Sequence, residues 1–315
     1  MNTHSTSVPE SFGDSHLNAP AAMAPTRPMY WSVRRELWEN RSIYIAPLAV
    51  ACVYLAGYLI SLCALPRSMR AIASAHSMPE PIALAMPFSH AAMLLMLIGV
   101  LVGVFYSLDA LHGERRDRSI LFWKSLPVSD LTTVLSKASI PLAVLPVLVF
   151  AITVALQIVM RLVNLAVVLV TGSGAAELWP WLPFFQMTLV LLYSLAVTTL
   201  WFAPIYCWML LVSGWARRVT FLWVVLPPLA IAGVEKIAFR TSYFGLLMED
   251  RLIGFAARAF DLKDKNGVAI DAHFIPLTQL APGRFLTSAS LWGGLLVAAG
   301  LLAAAVRLRH YREPI

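Results

Sequence analysis

Apolar residues in this chain run in long blocks, and charged or Pro/Gly-rich stretches separate the blocks. The blocks cover about 43 to 65, 88 to 111, 139 to 160, 184 to 212, 219 to 238 and 288 to 306. Each reaches or approaches the roughly 20 residues that a helix needs to cross the hydrocarbon of a bilayer. None shows the ten-residue alternation of an outer-membrane barrel strand. The pattern predicts an all-α polytopic protein with six membrane-crossing helices. Leu162 to Val170 either extends the third span or lies in the interface after Arg161. Two weaker amphipathic stretches flank the blocks. In "YWSVRRELWEN", Tyr30, Trp31, Val33, Leu37 and Trp38 share one helical arc, while Ser32, Arg35, Glu36, Glu39 and Asn40 lie opposite. Residues 243 to 260 read as one mostly apolar helix with a narrow stripe of Asp250, Arg251 and Arg258, too charged to cross and too apolar to be fully solvated.

Composition agrees with the pattern: 59% of the 315 residues are hydrophobic and 13% charged, and the mean hydropathy of +0.73 exceeds that of a soluble domain. A net charge of +7 belongs here to loops facing anionic lipid headgroups, and not to nucleic-acid binding. The bases set the expected sidedness. With the N-terminus inside, the inner loops hold Arg27, Arg34, Arg35, Arg41, Arg115, Arg116, Arg118, Lys124, Lys137, Arg217, Arg218, Arg307, Arg309 and Arg312, against Arg67 and Arg70 in the short outer loops. Both termini are therefore expected in the cytoplasm. Residues 1 to 28, rich in Ser, Thr, Pro, Asn and His and without a secretory-signal pattern, read as a disordered cytoplasmic tail that stays attached. Residues 29 to 41 read as an interfacial helix in which Trp31, Arg34, Arg35, Leu37 and Trp38 meet the headgroup layer or a partner protein.

Candidate chemistry within the blocks is sparse. Cys52, Cys63 and Cys207 lack paired spacing, so no disulfide framework or metal site is expected. His90 and His112 have no partners at ligand spacing. GxxxxGK[ST], HExxH and GxSxG do not occur. "DLKDKNGVAIDAHF" fails the calcium-loop pattern, and Asn266 and Gly267 suit a tight turn. Asp109, Arg161, Glu235 and Lys236 fall near span ends, where they either anchor the interface or line a path. Gly99 and Gly103 form a GxxxG pair that lets another helix approach closely, within the chain or across a dimer.

The most informative stretch is "ERRDRSILFWKSLPVSD", residues 114 to 130. Glu114 and Arg118 have the favourable i, i+4 order for a short helix. Pro127 ends that helix, and Ser129 can cap the next, which leads through Lys137 into the third span. Ile120, Leu121, Phe122 and Trp123 are consecutive, so one helix face cannot bury them all in lipid; a groove in a cytoplasmic partner accounts for them better.

With Glu114, Ser119-Ile120-Leu121, Leu126-Pro127-Val128-Ser129 and Lys137, this loop resembles the one between the second and third spans of permease subunits of type-two ABC exporters. That loop commonly reads Glu, Gly-Thr-Leu, apolar residues, Pro-Val-Ser and then Lys; this chain departs from it at Arg118-Ser119. The interfacial helix, six spans and large outer insertion follow the same plan. The resemblance implies a permease domain over 42 to 315, with a cytoplasmic coupling loop over 112 to 138 and an outer insertion over 239 to 287. It implies no catalytic residue or resident cofactor in this chain. ATP and Mg would be bound by a separate ABC ATPase subunit, contacted through Glu114, Arg115, Arg116, Arg118, Ile120, Leu121, Phe122, Trp123, Lys124 and Pro127. It further implies a second permease copy or homologue, membrane lipids as surroundings, a bacterial-type inner membrane, and export of an unidentified substrate. The alternatives are a membrane-embedded enzyme, an ion-coupled carrier or an assembly factor, each acting without an ATPase.

Overall fold

The computed structural model describes residues 26–63, 80–116, 129–171, 181–261 and 277–311. Helix α1 (Thr26–Glu39) precedes α2 (Ser42–Cys63), α3 (Glu80–Asp109), the short α4 (His112–Arg116), α5 (Asp130–Ser139), α6 (Leu145–Thr171) and α7 (Trp181–Trp215). Then come α8 (Thr220–Val234), α9 (Tyr243–Ile253), α10 (Phe255–Ala259), α11 (Pro282–Leu286) and α12 (Ala289–Tyr311). The described residues contain six helices long and apolar enough to cross a membrane, and no strand beyond one isolated bridge between Phe260 and Leu280. The protein is an all-α, multi-pass membrane protein. Its third span is one continuous helical run from Asp130 to Val167, so the helix carries on past Leu162.

The bundle packs α2, α3 and α6 around one core, with Ile43, Leu95, Ile140, Val149 and Met160 fully buried or nearly so. Small side chains set the closest approaches. A Cβ on Gly99 would come within 2.8 Å of Val149 Cγ2, and one on Gly103 within 3.1 Å of the Tyr206 ring. The GxxxG pair therefore admits α6 and α7 of the same chain. Hydroxyls span the apolar seams: Tyr54 donates to the Pro87 carbonyl (2.6 Å) and Tyr58 to Asn164 Oδ1 (2.6 Å). In the apolar medium around these helices, a polar group without a partner is costly, and each of these hydroxyls is satisfied by a neighbouring helix.

Prolines decide where the helices deviate. Pro141 has no N–H for the Lys137 carbonyl, which instead accepts from Ile140, and the chain widens into a π-turn over Ile140–Val144 before α6 resumes. Pro228 leaves the Val224 carbonyl free of its helical donor, and Trp208 Nε1 from α7 takes it at 3.1 Å.

The helix expected over 243 to 260 is broken in two. At Gly254 the chain turns between α9 and α10, where a Cβ would strike the Asp250 carbonyl and carboxylate. The break lets both halves pack on the bundle. Trp201 of α7, fully buried, donates Nε1 to the Arg251 carbonyl (2.9 Å), and the Arg251 guanidinium lies 4.5 Å over its ring. Arg258 also sits over Trp201 and pairs with Asp250. Arg284 ties α11 back by donating to the carbonyls of Ala257 and Phe260.

Candidate functional site

At the end of the bundle where α1, α4, α5 and the last turn of α12 converge, the structure buries a charge cluster. Glu36 of α1 is completely inaccessible, and Glu114, Lys137 and Arg309 are each more than nine-tenths buried. Lys137 Nζ reaches Glu36 Oε1 at 2.9 Å and Glu114 Oε1 at 3.1 Å. Arg35 Nη2 bridges the same two oxygens at 3.0 Å each. Arg309 donates Nη1 to Glu114 Oε2 (2.8 Å) and Nε to Asp130 Oδ1 (3.1 Å). Tyr106 of α3 completes Glu36 by donating its hydroxyl to Oε2 at 2.8 Å. Three carboxylates, Glu36, Glu114 and Asp130, thus meet three bases, Arg35, Lys137 and Arg309. Burying charge is tolerable only with this degree of pairing, since removing one partner of a buried pair costs about 3–5 kcal/mol.

Local sequence places each member. Ser129 Oγ accepts from Thr132 N (3.1 Å), the cap its position anticipates, and this starts α5 so that Lys137 falls on the buried face with Thr133, Val134 and Ser136. Asp130 in the first turn of α5 and Arg309 in the last turn of α12 each sit where the helix dipole favours their sign. The Glu39 carboxyl, at the edge of the cluster, is pushed up by burial and opposed by the Arg35 guanidinium 3.3 Å away.

The residues expected at an ATPase contact divide into three groups. Glu114 lies inside the cluster, so it serves the chain's own packing. Arg115 is also turned inward, donating Nη1 to the Gly214 carbonyl (2.8 Å) at the end of α7. Leu111 N to Ser213 Oγ and His112 Nδ1 to the Ala216 carbonyl, both 3.3 Å, join the same contact. Arg115 thus faces α7, where the carbonyls at the helix C-terminus need donors. Arg116 is exposed. Arg118, Ile120, Leu121, Phe122, Trp123, Lys124 and Pro127 lie outside the described residues.

The other sequence candidates are placed as follows. Trp31, Arg34 and Trp38 are exposed, while Leu37 packs against the main core and Arg35 joins the cluster. Glu235 caps α9, accepting from Tyr243 N (2.7 Å), Phe244 N (2.8 Å) and Thr241 Oγ1 (3.0 Å). Arg161 lies 5.2 Å over the Phe184 ring, and Asp109 and Lys236 are exposed. No group of three or more His, Cys, Asp or Glu suited to a metal occurs among the described residues. A cavity of about 20 Å³, water-sized, lies between α3, α6 and α7 beside the π-turn, lined by Gly99, Pro141, Val149, Thr198 and Tyr206 among others.

No protein-family model, curated protein or solved structure matches this chain.

The members of the cluster that sequence reasoning missed are Glu36, Tyr106 and the inward roles of Asp130 and Arg309. A carboxylate on the polar arc of an interfacial helix ordinarily faces water. The available signal was the placement of Glu114 and Lys137, two opposite charges close to the ends of apolar spans.

Proposed function

We propose that this chain is the membrane permease subunit of an ATP-driven ABC transporter, working with a separate ATPase subunit and a second permease in a bacterial-type inner membrane to export its substrate. The observation that carries this reading is the charge cluster at the root of the 117–128 loop. The loop leaves from α4 and returns at α5, and both ends are tied to distant elements: α4 to the end of α7 through Arg115, α5 to α1 and α12 through Lys137 and Asp130. A push on such a loop moves five elements together instead of bending a free hairpin. Glu114 and Lys137, the charged residues by which the loop resembles that of the exporter permeases, pair within this junction. α5 continues through the π-turn into the wall of the α3–α6–α7 cavity, so displacement at the junction has a mechanical route into the bundle.

In this mechanism the chain supplies no chemistry of its own. ATP binding would close the two ATPases, each would push Ile120 to Lys124 of its permease, and the junction would carry that motion into the spans. The test is to purify the chain gently from its native membrane with a C-terminal tag and assay for a stoichiometric P-loop subunit and ATP hydrolysis. Phe122→Asp should abolish co-purification or substrate-linked hydrolysis while leaving membrane insertion intact. An ATPase-free preparation, obtained under a protocol that retains a known ABC complex, would sink the reading.

A further inference from the structure

The outward face of α1 carries an arrangement that the charge cluster does not use. Tyr30, Trp31 and Trp38 are 60%, 54% and 67% exposed. Arg34 lies between the two indoles, its guanidinium carbon 5.3 Å from the Trp31 ring centroid and 4.8 Å from that of Trp38. Arg34 has no ion pair with a carboxylate among the described residues, and Arg41, also exposed, follows three residues after Trp38. The acids of α1 point elsewhere: Glu36 is locked to Lys137 and Tyr106, and Glu39 to Arg35. Because the inner face is pinned by buried ion pairs, the rotation of α1 is set, and its aromatic and cationic face is held outward.

That face adjoins the start of the first membrane-crossing helix. α2 begins three residues after α1 ends, and its exposed Ile45, Leu48 and Val53 continue the apolar surface into the span. Indole rings favour the headgroup layer. Stacking on two rings holds the guanidinium plane, leaving N–H groups that suit the paired oxygens of a phosphate. An anionic surface complements two exposed cations, neither of which forms an ion pair among the described residues.

We propose that this face is a binding site for the phosphate of an anionic phospholipid headgroup, held by Arg34 between Trp31 and Trp38 with Arg41 alongside. The site requires only that the chain is in a membrane, and it stands whether or not an ATPase is its partner.

The test uses the full chain reconstituted in phosphatidylcholine vesicles containing a small, equal fraction of brominated phosphatidylglycerol or brominated phosphatidylcholine. Subtracting the emission of a Trp31→Phe, Trp38→Phe variant isolates the two indoles. Brominated phosphatidylglycerol is expected to quench them about fivefold more effectively than brominated phosphatidylcholine. Arg34→Gln should bring the two lipids to parity without reducing quenching by phosphatidylcholine. Equal quenching in the unmodified chain would overturn the site and leave a plain aromatic anchor. Persistence of the preference in Arg34→Gln would overturn it too, as would the absence of quenching by either lipid, which would mean that a protein covers the face. Should the double variant fail to fold, the lipids retained on purification decide: phosphatidylglycerol enriched on the unmodified chain and lost with Arg34→Gln supports the site, and equal retention overturns it.

Discussion

Lys137 shows how much a single residue holds together. Its ammonium touches two carboxylates on two different helices, and its side chain is almost wholly buried. Replacing it with Met keeps the bulk but leaves Glu36 and Glu114 sharing Arg35, so Lys137→Met should destabilise the chain by about 3–5 kcal/mol. Lys137→Arg should lose less, because it retains the charge. Thermal unfolding in detergent, followed by size-exclusion chromatography, reads this directly; an unchanged midpoint for Lys137→Met would mean that the cluster contributes nothing to holding α1 and α5 together. Residue by residue, the sequence shows the charge of each cluster member and its nearness to a span. It does not show the pairing, because the partners lie as many as 195 positions apart, as with Glu114 and Arg309. Glu36 is the sharpest case: hydrophobic periodicity assigns it correctly to the polar face of α1, but its own side chain is buried against the bundle.

Among the elements, the spans were the most legible. All six apolar runs coincide with helices, since a 20-residue block of this hydropathy has few alternatives to forming a helix in lipid. The breaks inside elements were less so. Residues 243 to 260 keep one apolar face throughout, and the turn at Gly254, where a Cβ would strike Asp250, appears only in the folded chain. The π-turn over Ile140–Val144 had a visible cause in Pro141, but a proline can kink, widen or end a helix, and packing selects among these outcomes. Contact between elements is testable through the glycines. Gly99→Leu should wedge α3 from α6 and lower stability by about 1–3 kcal/mol or more. Gly57→Leu, on the open face of α2 with no neighbour within 4 Å, should cost almost nothing in the same melting assay. Equal effects at the two positions would show that the α3–α6 approach is looser than the Val149 contact implies.

Across the whole molecule, α1, the 117–128 loop ends and the last turn of α12 gather at one end, as an even number of crossings requires. Single cysteines at the exposed positions Tyr30 and Tyr311, in a background where Cys52, Cys63 and Cys207 are replaced by Ser, should react with a membrane-impermeant maleimide from the same side; one at Arg240 should react from the other. Labelling of Tyr30 and Tyr311 from opposite sides would reduce the crossings to an odd number. The sequence by itself determined the class of protein, the number and approximate limits of the spans, the amphipathic α1 and the cap of α5. These follow from local hydropathy, period and capping, which neighbouring residues carry. The tertiary structure alone decided that Glu36 on the polar face of α1 is buried, that Glu114 and Arg115 turn inward, that Gly99 and Gly103 serve contacts within the chain, and that α9 and α10 fold back onto Trp201. Those outcomes depend on which helices meet and at what height, and the pairing of buried charges that follows is a property of the assembled bundle.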